Sequence, residues 1–168
     1  MVLPPHWSLS LDQFSLSLQA MITAQPHTRI SLAKLAPDPY KAMIRLDNSV
    51  TLERGLRDLV YLRASQLNGC AYCVDSHSRD LRKGGETERR VYAVSAWRES
   101  PFFTDRERAA FAVCDAITLL PDAGLPDDIY EEAREHFDDE ELAQLIFACI
   151  VINAWNRVAV PTHMVPEE

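Results

Sequence analysis

The sequence predicts an all-α helical bundle. Apolar residues recur at intervals of three and four along successive segments, strand-like alternation is absent, and Gly, Pro and Asn clusters fall between the periodic stretches. The chain has 168 residues, 47% of them hydrophobic and 25% charged. A chain of that length removes roughly two thirds of its unfolded surface from water, so one domain can hold a core without metal or disulfide staples. We read residues 1–28, with three of the ten prolines, as an N-terminal extension, and 29–168 as the helical domain.

Within the extension, Leu9 to Ile22 carries the longest helical period. Pro37-Asp-Pro39 reads as a turn that opens a short amphipathic helix over Tyr40 to Leu46, followed by a loop at Asp47-Asn-Ser49. Leu52, Leu56, Leu59, Val60 and Leu67 mark one face of a second helix that Asn68-Gly69 ends. A third runs from Cys70 to Lys83 and stops at Gly84-Gly85, and a fourth covers Thr87 to Trp97. Thr104-Asp-Arg-Glu107 has the form of a capping box and starts a helix continuing to Leu120. A polar amphipathic helix over Asp128 to Phe137 and one apolar nearly all round over Glu140 to Trp155 complete the bundle. A helix of that last kind belongs at the centre of a fold or between subunits.

Composition narrows the partners. Seventeen basic against twenty-five acidic residues give a net charge of -8, the wrong sign for neutralising phosphates, so nucleic acid is not expected. The longest apolar run, Leu145 to Ile152, stops at Asn153, short of the ~20 residues of a membrane span. The first residues show no basic start and no small-residue cleavage site, which places the expected location in the cytoplasm.

Residues 68–77 read Asn-Gly-Cys70-Ala-Tyr-Cys73-Val-Asp-Ser-His77. On a helix Cys70, Cys73 and His77 fall within an arc of about 60°, on the apolar face shared with Val74 and Leu81. Positions i and i+3 bring the two Cα atoms to roughly 5–6 Å, within disulfide reach. The helix N-terminus favours thiolate at Cys70, whereas His77, one turn beyond Cys73, can take a proton from that thiol. The two arguments select different nucleophiles. Thiolate attack on a peroxide needs an activated sulfur, a proton for the departing oxygen and a second thiol to reduce the sulfenic acid; Cys73, His77 and Cys70 supply that list.

Other assignments of these residues exist. Two Cys and one His could hold zinc, but no second Cys-x-x-Cys or His-x-His provides a fourth ligand, so no metal or cofactor is expected. Two cysteines and a histidine on one buried face make costly core filler. Cys114 and Cys149, set among apolar neighbours, read as inert core; His6, His27, His136 and His163 as solvated or capping; Trp97, Trp155 and Phe102-Phe103 as packing. Arg63 lies on the apolar stripe of its helix and calls for an anion, either a buried carboxylate, which Asp58, about 140° away around the helix, does not provide, or a thiolate of the site whose ionised fraction it would raise.

The stretch Leu62-Arg-Ala-Ser-Gln-Leu-Asn-Gly-Cys-Ala-Tyr-Cys-Val-Asp-Ser-His77 resembles the alkylhydroperoxidase AhpD-like branch of the carboxymuconolactone decarboxylase family. The likeness extends through Gly85-Glu-Thr87, Trp97-Arg-Glu and Phe102-Phe-Thr-Asp-Arg-Glu107 to Ile152-Asn-Ala-Trp-Asn-Arg157. It implies an all-α fold, a homo-trimer or homo-hexamer, and thiol-dependent reduction of a small hydroperoxide or disulfide without haem or metal, recycled by a thiol or dithiol reductant that can itself be a protein. It further implies that Cys73 passes through sulfenic acid and that Cys70 serves as proton donor and disulfide partner. The family's relay acid, twelve residues before the first cysteine, falls on Asp58, one methylene shorter than the usual glutamate, and Tyr72 stands where AhpD itself has histidine. Two further functions use the same fold: a non-catalytic redox or interaction module built on the dithiol, and lactone decarboxylation, which has no use for a Cys-x-x-Cys.

Overall fold

The computed structural model describes residues 27–120 and 124–166. Among them are eight α-helices and no strand: α1 Leu32–Leu35, α2 Pro37–Asn48, α3 Arg54–Leu67, α4 Ala71–Lys83, α5 Glu88–Ala93, α6 Asp105–Leu119, α7 Asp127–Arg134 and α8 Asp139–Thr162, with a 3-10 turn at Val94–Ala96 after α5. The Leu9 to Ile22 period, His6 and most of the extension lie outside the described residues.

The central element is α3, whose residues Asp58 to Ser65 are all buried. Its Val60, Tyr61 and Ala64 face one cluster, completed by Ala110, Val113 and Cys114 of α6 and Leu145, Ala148, Cys149 and Ile152 of α8. Leu59 and Leu62 face a second, with Leu81 of α4, Val91, Val94, Trp97, Phe103 and Phe111. A helix apolar on both sides and packed on α4, α6 and α8 fixes everything attached to its ends. Arg63 lies between these clusters, and Asp115 of α6 takes it in a bidentate pair, Nε to Oδ1 at 2.6 Å and Nη2 to Oδ2 at 3.0 Å. Trp97 Nε1 at 3.2 Å and Arg98 Nη1 at 2.7 Å complete the donors to that carboxylate.

Helix ends follow local chemistry, with four departures from the sequence expectation. Helix α2 begins at Pro37 and runs to Asn48, absorbing most of the expected loop, because prolines in a first turn lose no hydrogen bond there. The expected helix over Thr87 to Trp97 is α helix only to Ala93; the tighter turn that follows presents the Ser95 carbonyl to Arg63 Nη1 at 3.2 Å. Helix α7 ends at Arg134, short of the expected Phe137. Helix α8 continues past Trp155 to Thr162, with Pro161 in its last turn and a capping box between Asp138 and Glu141 at its start. The box at Thr104 and Glu107 forms as its spacing requires.

By length and composition α8 could cross a bilayer, unlike the shorter uninterrupted run visible in sequence. In this fold one side of it is core, while Phe147, Ile150 and Val160 remain 42–48% exposed on the other.

Candidate active site

Gly69 sets the site. Its φ of +65° turns the chain at the end of α3, so that the Cys70 N–H returns to Ser65 O at 2.9 Å and closes that helix. Cys70 then becomes the N-cap of α4, its sulfur accepting from the Cys73 N–H at 3.3 Å. One residue thereby ends one helix and begins the next. The two Sγ atoms lie 2.6 Å apart, and both residues are buried and not joined by a disulfide. Among the described residues no three His, Cys, Asp or Glu side chains form a metal-holding group.

Asn156, 1% exposed, approaches the dithiol from α8. Asn68 Nδ2 donates to its Oδ1 at 2.8 Å, while its own Nδ2 donates to Ser65 Oγ at 3.1 Å. Ser65 Oγ in turn donates to the Tyr61 carbonyl at 2.7 Å. The Cys70 thiol is lowered to about 7, first by its hydrogen bond with Cys73, with Asn156 adding to the effect and burial opposing it. Cys73 is pushed up, first by the same hydrogen bond, then by burial and by charge on Cys70, with Asn156 and Ser65 opposing. Two sulfurs in contact share a proton, so the first ionisation belongs to the pair.

Access separates the two. Cys73 lines a cavity of about 210 Å³ with Tyr40, Asp47, Tyr72, Ser76, His77, Trp155 and Met164. Cys70 opens instead toward Gly69, Val160, His163 and Met164. His77 is lowered to about 4 by burial, with Arg57 acting in the same direction and Asp80 and Asp47 against. It is therefore neutral at pH 7, and its Nδ1 is buried without a hydrogen-bond partner. Its ring stands edge-on to Tyr61, centroids 5.0 Å apart.

Of the residues singled out in sequence, Cys70 and Cys73 meet at the start of α4, and Cys73 shares the cavity with His77. Asp58 is buried, but its ion-pair partner is Arg54 at 3.7 Å, and burial, with Asp80, holds its carboxyl above the usual range. The acid lining the cavity is Asp47, which accepts from Tyr61 Oη at 2.8 Å and from Trp155 Nε1 at 3.1 Å. Asp47, Tyr61 and the Asn68–Asn156–Ser65 chain were not singled out in sequence; polar Asn153 and Asn156 within an otherwise apolar stretch were the available signal for the last. Cys114 and Cys149 are fully buried and adjacent, and Cys149 is raised by its hydrogen bond to Cys114 and by burial, as inert core thiols are.

The sequence profile of the carboxymuconolactone decarboxylase family matches residues 37–116. An uncharacterized protein of Bacillus subtilis, YdfG, is 39% identical over 135 residues, which are 79% of this chain and 92% of the relative. A crystal structure from Agrobacterium tumefaciens, of a protein of unknown function and candidate antioxidant defence protein AhpD, superposes with a TM-score of 0.82 at 42% identity, over 84% of this chain and 99% of that one. An uncharacterized peroxidase-related protein of Ralstonia eutropha with an alkylhydroperoxidase AhpD core shares the fold at a TM-score of 0.73 and 20% identity, over 100% of this chain and 92% of that one.

Proposed function

The chain belongs to the carboxymuconolactone decarboxylase family, as an AhpD-like member, and from that premise we propose that it is a thiol peroxidase that reduces hydroperoxides at Cys73 and forms a Cys70–Cys73 disulfide. The observation that carries this is the pair of sulfurs 2.6 Å apart, one of them in the wall of a cavity it shares with a neutral imidazole.

The chemistry follows from those groups. The Cys73 sulfur, its proton taken by His77 or shared with Cys70, attacks the distal oxygen of the peroxide. The S–O bond forms, the O–O bond breaks, and the departing alkoxide takes a proton to leave as an alcohol. Cys70 attacks the resulting sulfenic sulfur, water departs, and the disulfide closes. A dithiol reductant then returns two electrons and two protons by exchange, most directly at Cys70, which faces its own opening. Asp58 is not among the residues lining the cavity, so no step is assigned to it.

Such a cycle needs a compartment that keeps thiols reduced, which supports a cytoplasmic location. The exposed Phe147 and Ile150 on α8 support a homo-oligomer, a trimer or hexamer, in which a second copy covers them. The test is peroxide-dependent thiol consumption in the wild type and in Cys73→Ser and Cys70→Ser. Cys73→Ser abolishes turnover, and Cys70→Ser stops at a sulfenic acid or mixed disulfide on Cys73; turnover that survives Cys73→Ser contradicts the assignment.

A further inference from the structure

The cavity beside Cys73 carries information about what it admits. Tyr40, Tyr72, Trp155 and Met164 give it aromatic and apolar walls, and Asp47 is the one carboxylate among its described lining residues. Tyr40 and Trp155 meet edge to face, centroids 5.3 Å apart, and Trp155 is tied to Asp47 by its indole N–H. Tyr61, pushed far up by burial and by Asp47, stays a protonated donor and holds the other carboxylate oxygen. The acid is thus fixed in place from two sides, half-buried, at the edge of the space where a substrate body would lie. His77, held neutral, does not offset its charge. Arg57, the cation that acts on His77 and Tyr61, stands behind Tyr61, 5.7 Å from its ring centroid, and is not among the lining residues.

We propose that Asp47 is the specificity-determining residue of this cavity, excluding hydroperoxides that carry a carboxylate. The proposal rests on the peroxidase reading for the chemistry, but the discrimination itself is a property of the cavity. Its basis is Coulombic: two like charges several ångströms apart, partly shielded from water, repel enough to weaken binding roughly tenfold or more. The apolar walls meanwhile reward a ring or an alkyl group.

The experiment uses a matched pair, cumene hydroperoxide and its para-carboxylate, with the corresponding alcohols as unreactive probes. Binding of the two alcohols is measured by ligand-observed NMR titration on the Cys73→Ser protein, and kcat/KM for the two peroxides on the wild type. The neutral member is expected to win by about tenfold or more in both measurements. Asp47→Asn should bring the ratio near unity. Because that variant also disturbs the bonds to Tyr61 and Trp155, Met164→Lys provides an independent arm: it adds a cation to the cavity lining, leaves Asp47 in place and should shift the preference toward the carboxylate. Equal binding of the two alcohols, or a ratio that neither variant moves, overturns the selectivity site even if both peroxides are reduced. A preference among the alcohols that follows Asp47 and Met164 while neither peroxide is turned over supports the site and overturns the peroxidase reading alone.

Discussion

Asn68 donates its amide to Asn156 Oδ1 at 2.8 Å, and that single bond fixes which way the Asn156 side chain faces. With its oxygen occupied, the Asn156 NH₂ is left to Ser65 and the two sulfurs, as a fixed donor to a thiolate in a site that water hardly reaches.

Replacing Asn156 by Leu, similar in size but without the donor, should raise the first ionisation of the dithiol above its value of about 7. Iodoacetamide labelling of Cys70 followed by mass spectrometry across pH 5–10 reads that shift, and at pH 7 the variant should react several-fold more slowly. The loss of two buried hydrogen bonds should also lower stability by about 1–3 kcal/mol. An unchanged labelling midpoint would mean that the amide is structural only.

The Arg63–Asp115 pair should matter to folding and not to redox chemistry. Arg63→Met leaves Asp115 with Arg98 and Trp97 as its remaining donors. Urea unfolding should show a loss of about 3 kcal/mol, at the low end of the cost of breaking one side of a buried charge pair because those two donors remain. The labelling midpoint of Cys70 should stay where it is.

His77 contributes to the acid limb of stability with a definite sign. Its folded value, about 4, lies below the ordinary 6.5, so the unfolded chain binds more protons between those values. The stabilisation from keeping it neutral is complete above pH 6.5 and is lost as pH falls toward 4. Asp58, shifted upward, acts in the opposite sense, its contribution fading as pH rises through its folded value. In His77→Asn the stability–pH curve should therefore be flatter between pH 6.5 and 4, with the wild type losing on the order of 2 kcal/mol more over that interval. Parallel curves for the two proteins would show that the imidazole is not held neutral.

The exposed side of α8 makes a prediction about assembly. Phe147→Asp together with Ile150→Asp should reduce the sedimentation mass to that of a single chain at micromolar concentration while the helical circular dichroism persists. A wild-type protein that already sediments as one chain would remove the oligomer from the proposal.

What the sequence disclosed and what it hid differ in range. The dithiol and His77 are local: spacings of three and four residues on one helix decide where those groups point, and Gly69 and the Thr104–Glu107 capping box announce their turns in the same few residues. Arg63 disclosed its need for an anion but not its partner, Asp115, 52 residues away. Asp47 was read as loop because nothing near it marks it; its two donors stand 14 and 108 residues along the chain. Asn156 likewise meets Asn68 across 88 residues. The extent of α8 was underestimated because Trp155 closes the most apolar stretch, while the helix continues through Asn156 and Arg157 to the packed Val158 and Ala159.

The most direct measurement treats the fully reduced protein with one equivalent of cumene hydroperoxide, counts the remaining thiols and locates the new bond by peptide mass spectrometry. Two of the four thiols should disappear, joined as Cys70–Cys73, with Cys114 and Cys149 still reduced. Four surviving thiols, or a bond between Cys114 and Cys149 in their place, would contradict a peroxidase centred on Cys73.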